Sequence, residues 1–443
     1  MSFQSRTLIA VFISFLLLTP LQLQLETKTT SELTEPFDES KLADHPYGYQ
    51  DALRDYYPTE TWRDCTPEEQ GMNSTLLDEM VPYIESNEWP IDSIIIVRGG
   101  YIVYEEYPSP DFGIDDIHTL QSVTKSFTSA LVGLAIKEGF LSGVNETIVD
   151  FFSDREIQNL DERKERMTVE HLLTMTAGVE WDEWTYPYTD TVHNSLAAMV
   201  TCDDAIDYFL NLPMAAEPGE EWVYNSGACM VLGVMIENLT NQTLLDFADE
   251  YLFSPVGISG AVFVRTYNGV YQAGGGLYLK PRDMARFGYL YLNGGLWNGI
   301  QIIPQDWVLD STEYHYLLPP YEAYGYYWWH HPAMGVYQAL GRLGQRIMVS
   351  PEKDLVVVFT ASIYGMYHPH QELYFDYVLQ SIIGPPREVT STTTTTTNQT
   401  TTTNQTTSSI DGYTVTLVLA TSVVVFATVA VVVLFRRNSM RQT

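Results

Sequence analysis

The chain has 443 residues, enough for one large domain or two moderate ones with a well-buried core. It is 45% hydrophobic and 13% aromatic, and 56 acidic residues face 23 basic ones for a formal charge of −33. A field of that sign repels nucleic acid and anionic membrane surfaces, so it argues against a nucleic-acid partner.

At the N-terminus Arg6 precedes an apolar run from Leu8 to Leu18. A charged start and an apolar stretch too short to span comfortably predict a signal peptide over 1–25. Residues 26–56 are polar and acidic and predict a flexible leader. A globular domain is expected over 57–386. Its first strong signal is a hairpin, with Ile94-Ile95-Ile96-Val97 and Tyr101-Ile102-Val103-Tyr104 flanking Gly99-Gly100. Helical patterns follow over 122–137, 168–176, 203–210, 227–238, 244–251 and 283–293. A second strand group is expected over 335–340, 346–349 and 354–360, and a closing helix over 371–383. Strands at both ends with helices between them predict an α+β fold. One antiparallel sheet is built from both ends of the domain and flanked by helices, with a mainly helical insertion to one side.

The C-terminal expectations concern address. Residues 387–412 are rich in Thr and predict a glycosylated stalk. Asn398 and Asn404 lie in glycosylation sequons, as do Asn73, Asn145, Asn238 and Asn241. Residues 413–435 are apolar and uncharged, the length of a transmembrane helix, and Arg436, Arg437 and Arg441 follow in a tail over 436–443. The expected placement is the plasma membrane, single-pass type I, with the domain extracellular. Cys65, Cys202 and Cys229 are too few for a disulfide scaffold and lack metal-ligand spacing. If one bridge forms, Cys65 with Cys202 is the expected pair, because Cys229 falls in an apolar helical run. His330, His331, His368 and His370 lack a matching carboxylate set and are expected at the surface. No metal and no cofactor are expected.

The chemistry centres on Gln121-Ser122-Val123-Thr124-Lys125. Phe127, Ala130, Leu131 and Leu134 follow as the stripe of a buried helical face. Ser122 and Lys125, three apart, share one face of that helix. A serine at a helix N-terminus beside an amine can be deprotonated and can carry an acyl group. Burial is expected to make the lysine lose its proton more easily. The aromatic stretches over 180–186 and 324–329 could line a cleft.

These residues carry a resemblance. Ser122-x-x-Lys125 resembles the first motif of the beta-lactamase-related serine hydrolases: class C beta-lactamases, penicillin-binding DD-peptidases and the esterases and amidases of that fold. Further stretches continue the likeness in order, from Met167–Gly178 through Glu217–Gly227, Ala273-Gly-Gly-Gly-Leu277 and Asp283–Phe287 to Leu292–Gly295. The resemblance implies Ser122 as nucleophile, with Lys125 and Tyr224 as its proton-transfer partners, and which of those two is the working base stays open.

Two positions depart from the family pattern. Tyr224-Asn225-Ser226 carries Ser where many members carry Asn. No Lys-Thr-Gly is present, and Ala339-Leu340-Gly341 stands in its place. The lost lysine argues against recognition of a substrate carboxylate. The remaining pattern most resembles the 6-aminohexanoate-dimer hydrolase-like branch. Ser226, Gly341 and Leu343 are the residues expected at the substrate and oxyanion positions. The resemblance implies an ester or amide as small-molecule partner. The rival expectation, motivated by the altered motifs, is an inactive hydrolase fold serving as a cell-surface binding module.

Overall fold

A computed structural model describes Arg54 and residues 56–386, apart from 321, 366 and 367. Ile91–Arg98 (β1) and Tyr101–Glu106 (β2) pair antiparallel, with Arg98 opposite Tyr101. Gly99 and Gly100 take φ of 59° and 83°, the left-handed region that a two-residue hairpin turn needs. Six further strands arrive late in the chain: Tyr316–Leu318 (β3), Glu322–Tyr324 (β4), Trp329–His331 (β5), Val336–Gly341 (β6), Gln345–Ser350 (β7) and Leu355–Ala361 (β8). The sheet runs β2-β1-β8-β7-β6-β5-β4-β3, and the pairs along it are antiparallel.

The join between the two ends of the domain is the β1–β8 pair, in register from Ser93↔Thr360 to Arg98↔Leu355. All residues of both strands are buried, which is why their centres, Ile94–Val97 and Val356–Val358, read as continuous β-branched runs and not as alternation. Their side chains still alternate between two cores. Ile95, Val97, Val356 and Val358 point into one, and Ile94, Ile96, Val357 and Phe359 into the other.

On the first face lie Thr124–Lys137 (α1), Ser195–Thr201 (α2), Ser226–Thr240 (α3) and Pro281–Leu292 (α4). α4 sits directly on the sheet. A Cβ at Gly288 would come 2.6 Å from Val356 and 2.8 Å from Ile347, so that glycine sets the approach. α1 is buried from Thr124 through Ala135. Two of its hydroxyls are matched by backbone: Thr128 donates to the Ala273 carbonyl at 2.7 Å and Ser126 to that of Tyr327 at 2.7 Å. The second face is covered by Ser74–Asp78, Met80–Ser86 and the segment 370–379. That last segment is a short α-turn followed by wider π-type turns ending at Leu379, so the closing helix is shorter than its periodicity predicts.

Three expectations are corrected. The fold class was expected to include a transmembrane helix, and the localisation was expected to be single-pass in the plasma membrane. Among the described residues no helix is long and apolar enough to cross a membrane. The longest, α3, has 15 residues against the roughly 20 that a bilayer core requires. The stretch 413–435 lies outside the described residues, as do 1–25, most of the leader, 387–412 and 436–443. The Cys65–Cys202 bridge is absent, and all three cysteines are free. The histidines are not at the surface. His330 and His370 are buried, the first inside the sheet in β5 and the second against Phe359 and beneath Gly344, while His331 and His368 are partly covered.

Candidate active site

Ser122 sits in a 3₁₀ turn, Gln121–Val123, that leads directly into α1. Gln121 has φ of 48°, a conformation a side chain rarely adopts, immediately before the serine. The turn is clamped from the sheet. Gly341, at the end of β6, lies so close that a Cβ there would stand 2.4 Å from the Leu120 carbonyl oxygen.

Lys125 begins the first turn of α1 and is only 2% exposed. Its Nζ donates to Ser122 Oγ at 3.1 Å and to the Gly274 carbonyl at 2.6 Å. Gly274 faces that amine without a side chain; a Cβ there would lie 3.4 Å from Nζ and 3.0 Å from the Ser226 carbonyl. The glycine run in Ala273–Leu277 therefore serves as a close backbone wall behind the lysine.

Tyr224 comes from the other side of the site. Val223 N–H bonds to the Met175 carbonyl, and Asn225 caps α3 by accepting from Ala228 N–H at 2.9 Å. Asn225 is thus a helix cap, and Tyr224 is held at the helix mouth. The Tyr224 side chain faces the same pair: Nζ of Lys125 stands 4.7 Å from its ring centroid, and its phenol interacts with both Lys125 and Ser122. Trp184 stacks on the same ring at 4.9 Å, and Trp329 and Trp222 stand 6.3 and 6.1 Å away. Both aromatic stretches thus contribute to the surroundings of Tyr224.

The charge state of Lys125 differs from the expectation. Burial works against its ammonium, but the negative charge that Tyr224, Cys229 and Glu183 carry when ionised outweighs it, so its proton is held above the ordinary lysine value. Burial also raises the Tyr224 phenol, and nearby Lys125 pulls it back only in part. The Cys229 thiol, in the same buried corner, is pushed up to about 11 by burial.

Glu183 is the residue that sequence reading passed over, inside an aromatic stretch it did single out. It is 3% exposed and accepts from Ser226 N–H at 2.7 Å, Ser226 Oγ at 2.8 Å, Trp181 Nε1 at 2.9 Å and Tyr188 at 3.3 Å. A carboxylate between two tryptophans was the available signal. Ser226 lines the cavity beside Ser122, but its hydroxyl is directed to Glu183. Gly341 and Leu343 flank the residue that does line it, Arg342. Leu343 has φ of 65° in the turn joining β6 to β7. The cavity measures about 130 Å³ and has an apolar wall of Leu196, Val200 and Met230. Among the described residues no group of His, Cys, Asp and Glu is placed to hold a metal ion.

A family model for beta-lactamases matches residues 82–375, two thirds of the chain and the whole of this site. The chain belongs to the beta-lactamase family. Among proteins, this beta-lactamase-family chain is 25% identical to a 6-aminohexanoate-dimer hydrolase of Paenarthrobacter ureafaciens over 318 residues, 67% of this chain and 80% of that one. It is 22% identical to a lovastatin esterase of Penicillium rubens over 200 residues, 41% and 48% of the two chains. Among solved structures, a 6-aminohexanoate-dimer hydrolase homologue from Bacillus anthracis superposes with a TM-score of 0.57 at 23% identity, covering 78% of this chain and 88% of that one. EstCE1, a hydrolase with promiscuous acyltransferase activity, gives 0.55 at 15% identity, covering 70% and 99%. The fold is that of the beta-lactamase and penicillin-binding-protein-like α+β hydrolases, a family of serine hydrolases that act on small amides and esters.

Proposed function

We propose that this beta-lactamase-family chain hydrolyses an ester or amide through an acyl intermediate on Ser122. The observation that carries the reading is the 3.1 Å contact between Lys125 Nζ and Ser122 Oγ, with the Tyr224 ring centroid 4.7 Å from the same Nζ. The relatives named for a 6-aminohexanoate dimer and for lovastatin support an amide or ester as the bond cleaved.

At rest the pair carries both protons, an ammonium on Lys125 and a phenol on Tyr224, and neither can take a third. One proton must first leave the pair. Ser122 Oγ then attacks the carbonyl carbon, and its proton passes into the Lys125–Tyr224 pair. As the tetrahedral intermediate collapses, the pair returns that proton to the departing alcohol or amine. Water next attacks the acyl carbon, gives a proton to the pair, and Ser122 Oγ recovers it on release of the acid. The negative oxygen of each intermediate is served by the Ser122 N–H at the mouth of α1. A second backbone N–H comes from the Gly341–Leu343 corner, which the close approach of Gly341 to Leu120 brings alongside.

A fluorophosphonate probe tests the nucleophile on the full chain. Labelling of the wild type and its loss in Ser122→Ala is the expected result. Equal labelling of the two proteins refutes the assignment.

A further inference from the structure

The chain has more than twice as many acidic as basic residues. The cavity beside Ser122 reverses that balance. It is lined by two arginines, Arg265 and Arg342, and, among the described residues, by no Asp or Glu. The two are differently engaged. Arg265 donates to the Gly269 carbonyl at 2.6 Å, lies 3.5 Å from Glu237 and packs over Tyr271 at 3.7 Å. Arg342 is exposed, stands over the Tyr188 ring at 5.3 Å, and makes no hydrogen bond or ion pair among the described residues. Glu183 does not neutralise it, because that carboxylate is buried behind Tyr188 and accepts from Ser226, Trp181 and Tyr188. Its position follows from Gly341, whose packing on Leu120 brings the next residue to the rim of the serine's cavity. The cavity that Arg342 and Ser122 share also has an aliphatic wall, from Leu196 and Val200 on α2 and Met230 on α3.

We propose that the acyl part of the substrate is an aliphatic chain ending in a carboxylate, and that Arg342 binds this carboxylate. The inference rests on the reading of Ser122 as nucleophile. An aliphatic wall favours the methylenes of such a chain, and a guanidinium matches a carboxylate with paired N–H donors. The site thus regains a cation that the missing Lys-Thr-Gly lysine removed, from a turn residue and not from the strand. Arg342 is a specificity-determining residue here and takes no proton in the reaction.

The test uses p-nitrophenyl half-esters of adipic and pimelic acid against the neutral p-nitrophenyl esters of hexanoic and heptanoic acid. The leaving group is constant and only the distal carboxylate differs. Wild type, Arg342→Gln, Arg342→Lys and Ser122→Ala are compared as full chains. The wild type is expected to give a higher kcat/KM on the half-esters. In Arg342→Gln the ratio of half-ester to neutral ester falls about tenfold, mainly through KM, the scale of one charged hydrogen bond. Arg342→Lys restores part of the ratio, and added salt lowers it in the wild type. A wild type that favours the neutral esters overturns the proposal, as does a ratio unmoved by Arg342→Gln, while Ser122→Ala remains inactive. Hydrolysis that survives in Ser122→Ala overturns the nucleophile reading itself, and the inference with it.

Discussion

Ser226 gives both its N–H and its hydroxyl to the Glu183 carboxylate, at 2.7 and 2.8 Å. The first residue of α3 is thereby tied to the loop that carries Trp184 and Tyr188. The same carboxylate lends its charge to Lys125 and Tyr224. One buried anion thus fixes the shape of the site and biases its protons.

Glu183→Gln separates these roles. The amide turns an NH₂ toward donors that need an acceptor, so unfolding stability should fall by about 1–3 kcal/mol in urea titration. Without the anion, both Lys125 and Tyr224 release a proton more readily. The pH–rate curve should therefore move to lower pH. A curve that stays in place would remove Glu183 from the proton balance of the pair.

The unaltered protein should work best in alkaline solution. Lys125 and Tyr224 are both held above their ordinary values, so at neutral pH the unreactive, doubly protonated pair dominates. Raising pH removes the first proton, and kcat/KM for a neutral p-nitrophenyl ester should rise with it. A rate that falls from pH 7 upward would contradict this proton assignment.

Tyr224→Phe keeps the ring against Lys125 and Trp184 but deletes the hydroxyl. The expected loss in kcat is about 10²- to 10⁴-fold, with KM little changed, as the proton-transfer role proposed for the hydroxyl requires. Steady-state kinetics at several pH values read it directly.

Trp184 is 62% exposed and covers Tyr224 from the solvent side. Trp184→Ala removes one stacked pair, worth about 0.5–1.5 kcal/mol, and should raise KM about two- to tenfold while leaving thermal stability close to the wild type. A drop in melting temperature with unchanged KM would make the tryptophan structural.

Two glycines should fail in opposite ways. Gly288→Ala presses a methyl into Val356 and Ile347 and should cost about 1–3 kcal/mol of stability. Gly341→Ala instead pushes on Leu120 and displaces the turn bearing Ser122, so kcat/KM should fall about 10²-fold. Melting curves and ester kinetics on both variants distinguish the two effects.

Local patterns were legible in the amino-acid order because local physics produces them. Gly99-Gly100 between two β-branched runs encodes a hairpin, whatever surrounds it. Ser122 and Lys125 meet because three positions along a helical turn share a face. The apolar runs at both ends of the domain announced fully buried strands, and their pairing across the molecule followed from a sheet needing both. The closing helix was read too long, because apolar spacing over 371–383 does not reveal that the turns widen after Glu372.

Only the folded chain decided what depends on distant neighbours. Tyr224 reaches Lys125 because Met175 and the cap of α3 hold it there. His330 and His370 are buried because the strand and segment bearing them are covered by other parts of the chain. Lys125 keeps its proton because Tyr224, Glu183 and Cys229 surround it, although burial alone acts the other way. Arg342 gains its place in the cavity from the packing of Gly341 on Leu120. A side chain's charge and its usefulness are sums over neighbours, and linear order names the neighbours only within a turn or a hairpin.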